Sequence, residues 1–464
     1  MPFRSLTRGG GFSANLQLPV PDPIALQYAL KWFGSGPVSK IANKYHRAQV
    51  SLDRLKDDIY EFSRSHVSRI NDPSYDAIYA SVLKEFTPSS PIIPWTNGKV
   101  FKSDKIPRSS AAGFPYHGKT KGDIVDDPIE CNNIRRQWHA VGAGYNVKFP
   151  DTKVYFRAQI CDPDTEKIRG TWGYPSAVFF EEARFLYPYL EWLKERTDSF
   201  PLAYGLEMAN GGMKYIHEMA NLSPNSYFLM LDWKKFDKTI PPWLIRDAFS
   251  IFFHAFDLAH VLDSDGLMWE VDPEKTKNRI KKLINYFINT PFQLSDGERF
   301  MKDGGVPSGS GFTNIIDSIV NALVTRYCIY HTAGSIWISD MYLGDDGVIV
   351  LHGPLSIESM ADFALQYFGM IVNTSKSYIT NNPINIQFLG FYNMHGVPMR
   401  SQDFIIASFI FPERFYGTPD PSFTAIRALG QLWSTLNPLQ AVSWLNILEN
   451  IITDYNIDFM ATLT

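Results

Sequence analysis

The sequence predicts an α+β fold, in which strands and helices mix around one core instead of alternating in a doubly wound sheet. Two observations carry this. Apolar runs of strand length at 227–233, 336–343 and 348–351 carry acids at their tips, and helical patterns lie between and around them. A third observation supplies the core: 464 residues, 45% hydrophobic and 14% aromatic with 20% charged, can bury ample apolar surface without staples.

Taken in order, the chain to about residue 90 reads as helical, with polar and apolar residues at helix-like spacing over 51–68. Residues 91–150 are rich in Pro, Gly and basic side chains and read as long ordered loops, a length that usually carries function. The run 227–233 (Tyr-Phe-Leu-Met-Leu-Asp-Trp) is expected as a buried strand ending at Asp232. Pro241-Pro242 then opens a helix where a first turn tolerates proline. Strands 336–343 and 348–351 flank Gly344-Asp345-Asp346-Gly347, a tight connection of hairpin-turn residues. Ser356 caps a helix to about residue 368, and Gly369 ends it. The segments 386–391 and 397–400 flank a turn at His395-Gly396, and the chain is expected to be helical after Pro412. No internal repeat occurs, and no low-complexity tract beyond Gly9-Gly10-Gly11.

Several classes are excluded. The three cysteines (Cys131, Cys161, Cys328) are odd in number and far apart, which argues against a disulfide framework. Cys131 with nearby His139 cannot complete a four-ligand zinc site, and a reducing, intracellular setting is expected. Residues 1–5 lack the apolar stretch of a signal peptide, and no window has the apolar length of a membrane span. A net charge of −4 is not that of a basic nucleic-acid coat, but local basic groups exist. Lys99, Lys102, Lys105, Arg108, Lys119 and Lys121 face Asp104 alone in sequence; Arg135, Arg136, Lys148, Lys153, Arg157, Lys167 and Arg169 follow among interspersed acids. Such groups fit a nucleic-acid channel or a solvated surface.

Nucleotidyl transfer needs divalent ions that clamp the attacking and leaving oxygens, and hard ions take carboxylate oxygens. Two neighbouring strands, each tipped by Asp, would deliver them on rigid supports. Asp232 ends one expected strand and Asp345-Asp346 sits in the hairpin turn. Gly-Asp-Asp by itself also fits a plain turn. Its company changes the balance: Asp232-Trp-Lys-Lys-Phe-Asp237 lies upstream, and Ser308-Gly309-Ser310-Gly311-Phe312-Thr313 lies between. From that loop Thr313, Asp317 and Asn321 follow at i+4 steps on one helix face.

In order and spacing these three segments resemble motifs A, B and C of viral RNA-dependent RNA polymerases, most closely those of partitiviruses, with picobirnavirus-like double-stranded RNA viruses next. The resemblance spans about residues 108–400 and is extended by four further segments. Lys167-Ile-Arg169 with Trp172-Gly-Tyr-Pro175 resembles motif F, and Ser110-Ala-Ala-Gly113-Phe-Pro115 resembles motif G. Lys376 stands at a motif D position, and Phe388-Leu-Gly-Phe391 is similar to motif E.

What the resemblance implies is a right-hand fold: residues 1–225 as N-terminal extension and fingers, 226–395 as palm with a fingers insertion near 255–305, and 396–464 as a small helical thumb. It implies RNA synthesis on an RNA template, with Asp232 and Asp345 holding two Mg²⁺ (Mn²⁺ as substitute) and Asp346 supporting them. Lys167 and Arg169 would hold the triphosphate, with Ser308 and Gly309 around the nucleotide; Asp237, Thr313 and Asp317 or Asn321 would read the ribose hydroxyls. Lys376 would act as an acid or lie on the surface, and Ser110, Gly113, Pro115 and Lys119 would line the template path. Partners would be template RNA, product duplex, ribonucleoside triphosphates and viral capsid protein, with no membrane, inside the particle in the host cytoplasm. Many such polymerases carry Asn where Asp317 stands, so the sugar-reading network departs from the pattern here; two crowded carboxylates would raise one pKa or be bridged by Thr313.

Three rivals remain. Gly113-Phe-Pro-Tyr-His-Gly118-Lys119-Thr120 satisfies G-x4-G-K-[ST], as in a P-loop NTPase or helicase, but neither flank fits the strand and helix that loop needs. A non-catalytic RNA-binding or capsid-associated protein would not need intact acids at 232, 345 and 346. Reverse transcriptases typically place an aromatic where Asp237 stands, and Tyr or Met where Gly344 stands.

Overall fold

The computed structural model describes residues 3–14, 17–162, 164–196, 200–222, 224–333, 337–435 and 437–463. Its central sheet has four antiparallel strands in the order Trp337–Leu343, Asp346–Leu351, Tyr227–Met230, Tyr378–Thr380. Period-two alternation divides the side chains between two cores. Leu229, Ile349 and Leu351 join the large core that runs through the molecule, while Phe228, Met230, Val348 and Val350 face a second cluster with Met213, Ile216 and Phe388. Against the first face lies the long Thr313–Ala333 helix, buried almost all round, which is why its sequence shows no clear polar stripe.

The expected strand 227–233 ends earlier, at Met230. Trp233–Lys234 forms a separate ribbon with Ile371–Val372, so the chain changes partners at Leu231 and Asp232. The hairpin registers Leu343 opposite Asp346, leaving Gly344 and Asp345 as the turn; the last expected strand therefore begins at Asp346 rather than 348. Residue 336, the expected start of the preceding strand, lies outside the described residues. Gly369 caps the Ile357–Phe368 helix with Ser356 at its start, and His395-Gly396 turns the Phe391–Met394/Val397–Met399 hairpin.

Two expectations are corrected in the N-terminal half. Residues 91–150 are not loops throughout: Pro128–Gly142 is a 15-residue helix. Asp127 accepts from the N–H groups of Ile129 and Glu130, Pro128 opens the first turn, and Cys131, Ile134, Trp138 and Val141 bury one face at i+3 and i+4 steps. Conversely, the helix-like spacing over 51–68 yields only Leu52–Tyr60. A five-stranded fingers sheet, in the order Phe3–Ser5, Arg299–Lys302, Pro291–Gln293, Thr152–Ala158, Ile168–Gly173, gathers segments about 300 residues apart in sequence and left no local signal.

The C-terminal helices Gln402–Ile410, Pro421–Thr435 and Pro438–Asp454 share one core with Pro23–Phe33 and Ser35–Lys44, through Ile24, Tyr28, Val38 and Ile41. Asp22 ties the two together: it caps the first helix and accepts from Thr424 Oγ1 at 2.7 Å and Arg427 Nη1 at 2.8 Å. The N-terminal segment thus runs from the five-stranded sheet into the core of the C-terminal helices. Among the described residues no helix is long and apolar enough to cross a membrane.

Candidate active site

Asp232 leaves the central strand where the chain changes partners, and the 373–377 turn holds it there. Its N–H donates to Ser377 Oγ at 2.9 Å, its carbonyl accepts from the Asn373 N–H at 2.7 Å, and its carboxylate Oδ2 accepts from Asn373 Nδ2 at 2.8 Å. Oδ1 has no protein partner among the described residues.

Asp345 tips the hairpin turn. The turn is fixed from behind by the long helix: Gly344 N–H donates to Ser318 Oγ at 2.8 Å, and Asn321 Nδ2 donates to the carbonyls of Gly344 at 3.1 Å and Asp346 at 3.4 Å. Asn321 Oδ1 meanwhile accepts from Trp233 Nε1 at 3.2 Å and Thr325 Oγ1 at 2.9 Å. One fully buried amide therefore registers the strand after Asp232 against the turn that carries Asp345. Asp346 leans the other way, its Oδ2 accepting from the Leu389 N–H at 3.0 Å. Burial, with the charges of Asp237 and Asp232, holds the Asp345 carboxyl above its usual range; burial and Asp345 push Asp346 up to about 6.

Asp237 follows on the short Phe236–Thr239 helix and meets Asp317, which is 5% exposed. Burial raises both carboxyls, and the facing Asp237 raises Asp317 further. Asp317 Oδ1 is buried without a protein partner. Thr313 does not bridge the pair: its hydroxyl donates to the Pro307 carbonyl at 2.7 Å and closes the loop ahead of its helix. Arg169 is the cation whose charge reaches both Asp237 and Asp345. Lys167, one residue before the same strand, is exposed and makes no side-chain contact with these acids.

The remaining expected residues frame this centre. Ser308 is exposed on the loop before the long helix, and a Cβ on Gly309 would lie 1.4 Å from the Trp172 carbonyl oxygen, so only glycine allows that approach. Gly113, at φ +74°, is pressed in the same way against the Tyr174 carbonyl. Ser110, Pro115 and Lys119 belong to the same loop, which closes by the Ala111–Thr120 bridge and docks through Ser176 N–H to the Ala112 carbonyl at 2.9 Å. Lys119 is exposed, its Nζ 5.7 Å from the Tyr116 ring centroid. The element immediately before this loop is the helix Asn97–Phe101, and the helix after it, Lys121–Val125, has five residues. That is not the strand–loop–helix frame of a P-loop. Lys376 is exposed within the turn that clamps Asp232.

Sequence reasoning missed the clamps. Asn373 and Ser377 sat in an unremarked turn, and Ser318 shares a helix with the residues singled out. Asp58 accepts from Lys238 Nζ and from the Gly170 N–H at 3.0 Å, joining the segment of Asp237 to the strand of Arg169. Glu181 and Glu182, adjacent acids flanked by Val178, Phe179, Phe180 and Phe185 in the Ser176–Glu195 helix, were the legible signal, since a buried charge needs a partner.

Strand-tip acids on a short antiparallel sheet, backed by one buried helix and enclosed by fingers and thumb, define the class of right-hand nucleic acid polymerases. Two solved structures share the fold. The polymerase of a human picobirnavirus superposes with a TM-score of 0.67 over 94% of this chain and 85% of its own, at 16% identity. The Sicinivirus 3Dpol polymerase gives 0.70 over 98% and 96%, at 14% identity. Residues 33–397 match the family described as viral RNA-dependent RNA polymerase, and the chain belongs to that family. Among curated relatives, the RNA-directed RNA polymerase of White clover cryptic virus 1 is 26% identical over 313 residues, 63% of this chain and 49% of the relative. That of Atkinsonella hypoxylon virus is 28% identical over 314 residues, 59% and 47%. The chain spans about half the length of the curated relatives it matches.

Proposed function

We propose that this chain synthesises RNA on an RNA template from ribonucleoside triphosphates, replicating and transcribing a viral RNA genome. The observation that carries the reading is the meeting of four acids from three segments (Asp232, Asp237, Asp317, Asp345) at one edge of the central sheet, with Arg169 facing them.

The donor set fits divalent metal. Asp345 and Oδ1 of Asp232 have no competing protein partner, and mutual repulsion among the acids is relieved by a cation. Among the described residues no three such side chains close into a cage by themselves. That suits Mg²⁺, which keeps waters and takes substrate phosphate oxygens beside one or two carboxylates. When bound, two Mg²⁺ (or Mn²⁺) would supply Lewis-acid stabilisation of the attacking and leaving oxygens. Asp232 and Asp345 would hold them, and Asp346, engaged by Leu389, would steady the turn. Arg169 would bind the triphosphate, joined by Lys167 once the nucleotide is present, and Ser308, Gly309 and Thr313 would shape the nucleotide pocket. Lys376 would stand ready to protonate pyrophosphate.

For the sugar, Asp317 is the better partner of Asp237, because both ends of the Asn321 amide are consumed in fixing the hairpin. A proton shared by the two acids would leave Asp237 an acceptor for the 2′-hydroxyl. The 110–121 loop would guide the template, through Ser110, Gly113, Pro115 and Lys119. The viral origin of the two relatives named above supports the further reading that the enzyme works inside a particle, against capsid protein, in the host cytoplasm. The test is incorporation of labelled nucleotide by purified protein on RNA with Mg²⁺, alongside the Asp345→Ala variant. Incorporation by the parent and none by the variant is expected; equal incorporation by both would remove the reading.

A further inference from the structure

Among the buried ionisable groups outside the acidic centre, one touches the loop ahead of the long helix. Glu182, 1% exposed, turns both carboxylate oxygens on the loop ahead of the long helix. Oε2 accepts from the Ser310 hydroxyl, and Oε1 accepts from the Gly311 N–H at 3.1 Å. Ser310 Oγ in turn accepts from the Phe312 N–H at 3.2 Å. With Gly309 already pressed on Trp172, the loop is fixed at three successive residues, two of them by one carboxylate.

At its far end the 110–121 loop docks on the helix that carries Glu182 by way of Lys121, 8% exposed. Its Nζ donates to the Ala111 carbonyl at 2.8 Å and lies 5.0 Å from the Phe179 ring centroid. Burial pushes Glu182 up to about 8 and Lys121 down to about 8.

We propose that Glu182 is a positioning residue for the polymerase, holding the 308–312 loop against the nucleotide from the helix on which the 110–121 template loop also docks. This rests on the polymerase reading, since the two loops matter together only where template and nucleotide meet.

The experiment uses the full chain and two variants, Glu182→Gln and Glu182→Ala. Steady-state kinetics on an RNA primer–template should show KM for the nucleotide raised about 5-fold or more in each, with kcat less affected. Hydrogen exchange in the absence of RNA and nucleotide should quicken at Gly311 and Phe312 in Glu182→Ala by about 5-fold or more, with the central sheet unchanged. An unchanged KM in both variants, or unaltered exchange at both amides, overturns the proposal. If the parent protein incorporates nothing, the polymerase reading fails, while the exchange measurement still decides whether Glu182 holds the loop.

Discussion

The acids of the site fall into two pairs that differ in how much protein they touch. Asp232 is clamped through its own backbone and Asp345 through those of Gly344 and Asp346, and both leave carboxylate oxygen free of other side chains. Asp237 and Asp317 are buried against each other, with the Asp317 carboxyl pushed far above its usual range. The first pair has the character of a cation site, where rigid backbone aims a ligand at something absent from the protein. The second behaves as a hydrogen-bonding device, in which like charges share a proton so that one of them can accept. The same residue type thus serves two chemistries, set by what each carboxylate faces.

If that division is right, the largest effect follows from emptying the cation end. Asp345→Ala and Asp232→Ala should each lower incorporation about 1000-fold or more, and the double variant no further, because they serve one cluster. Circular dichroism should show the fold retained, since the hairpin is held by Ser318 and Asn321 rather than by the carboxylates. Additive losses would mean that the two acids act separately. At the sugar end the effect is smaller: Asp237→Ala should cost about 100-fold with ribonucleotides and much less with deoxynucleotides. Competition between the two sugars measures this, and an unchanged preference would detach Asp237 from sugar reading.

Away from both pairs, Lys119→Ala should weaken template binding about 2- to 5-fold and lower its salt dependence, as loss of one phosphate contact does. Fluorescence anisotropy against salt checks it. ATP hydrolysis without RNA that this substitution stops would instead revive the P-loop alternative.

The two pairs also differ in how far the sequence displayed them. Asp232, Asp237, Asp345 and Asp317 were legible because each lies within a short run whose spacing is itself the signal. Their supports were not. Asn373 and Ser377 reach Asp232 across about 140 residues, and Asp58 reaches Lys238 across about 180. Such pairings follow from tertiary packing, which no local pattern encodes. The helix-rich N-terminus was seen, but its share in the thumb core was not, because Asp22 meets Arg427 only once the chain has closed on itself. Thr313 misled for the opposite reason: it lies on the right helix face, but a hydroxyl so close to the helix start is taken by the carbonyl of Pro307.

The smallest effect on activity, and the most telling for the comparison, belongs to Asp317→Asn. A neutral amide replaces a carboxyl that the fold already prefers protonated, so incorporation should stay within about 2-fold of the parent. Stability should move instead. The folded-state pKa of Asp317 lies above its unfolded value, so the folded protein binds more protons, and stability falls as pH rises from about 4 through the raised pKa. Asparagine has no proton to lose and removes that penalty. The variant should therefore melt about 1–3 °C higher at pH 8, and the gap should narrow toward pH 5, where the parent keeps its proton at little cost. Thermal melts without divalent ions at both pH values measure it. A gap that widens toward low pH would show that Asp317 is held as an anion in the folded state. Loss of incorporation as deep as that of Asp237→Ala would show that its charge, not its hydrogen bond, serves the reaction.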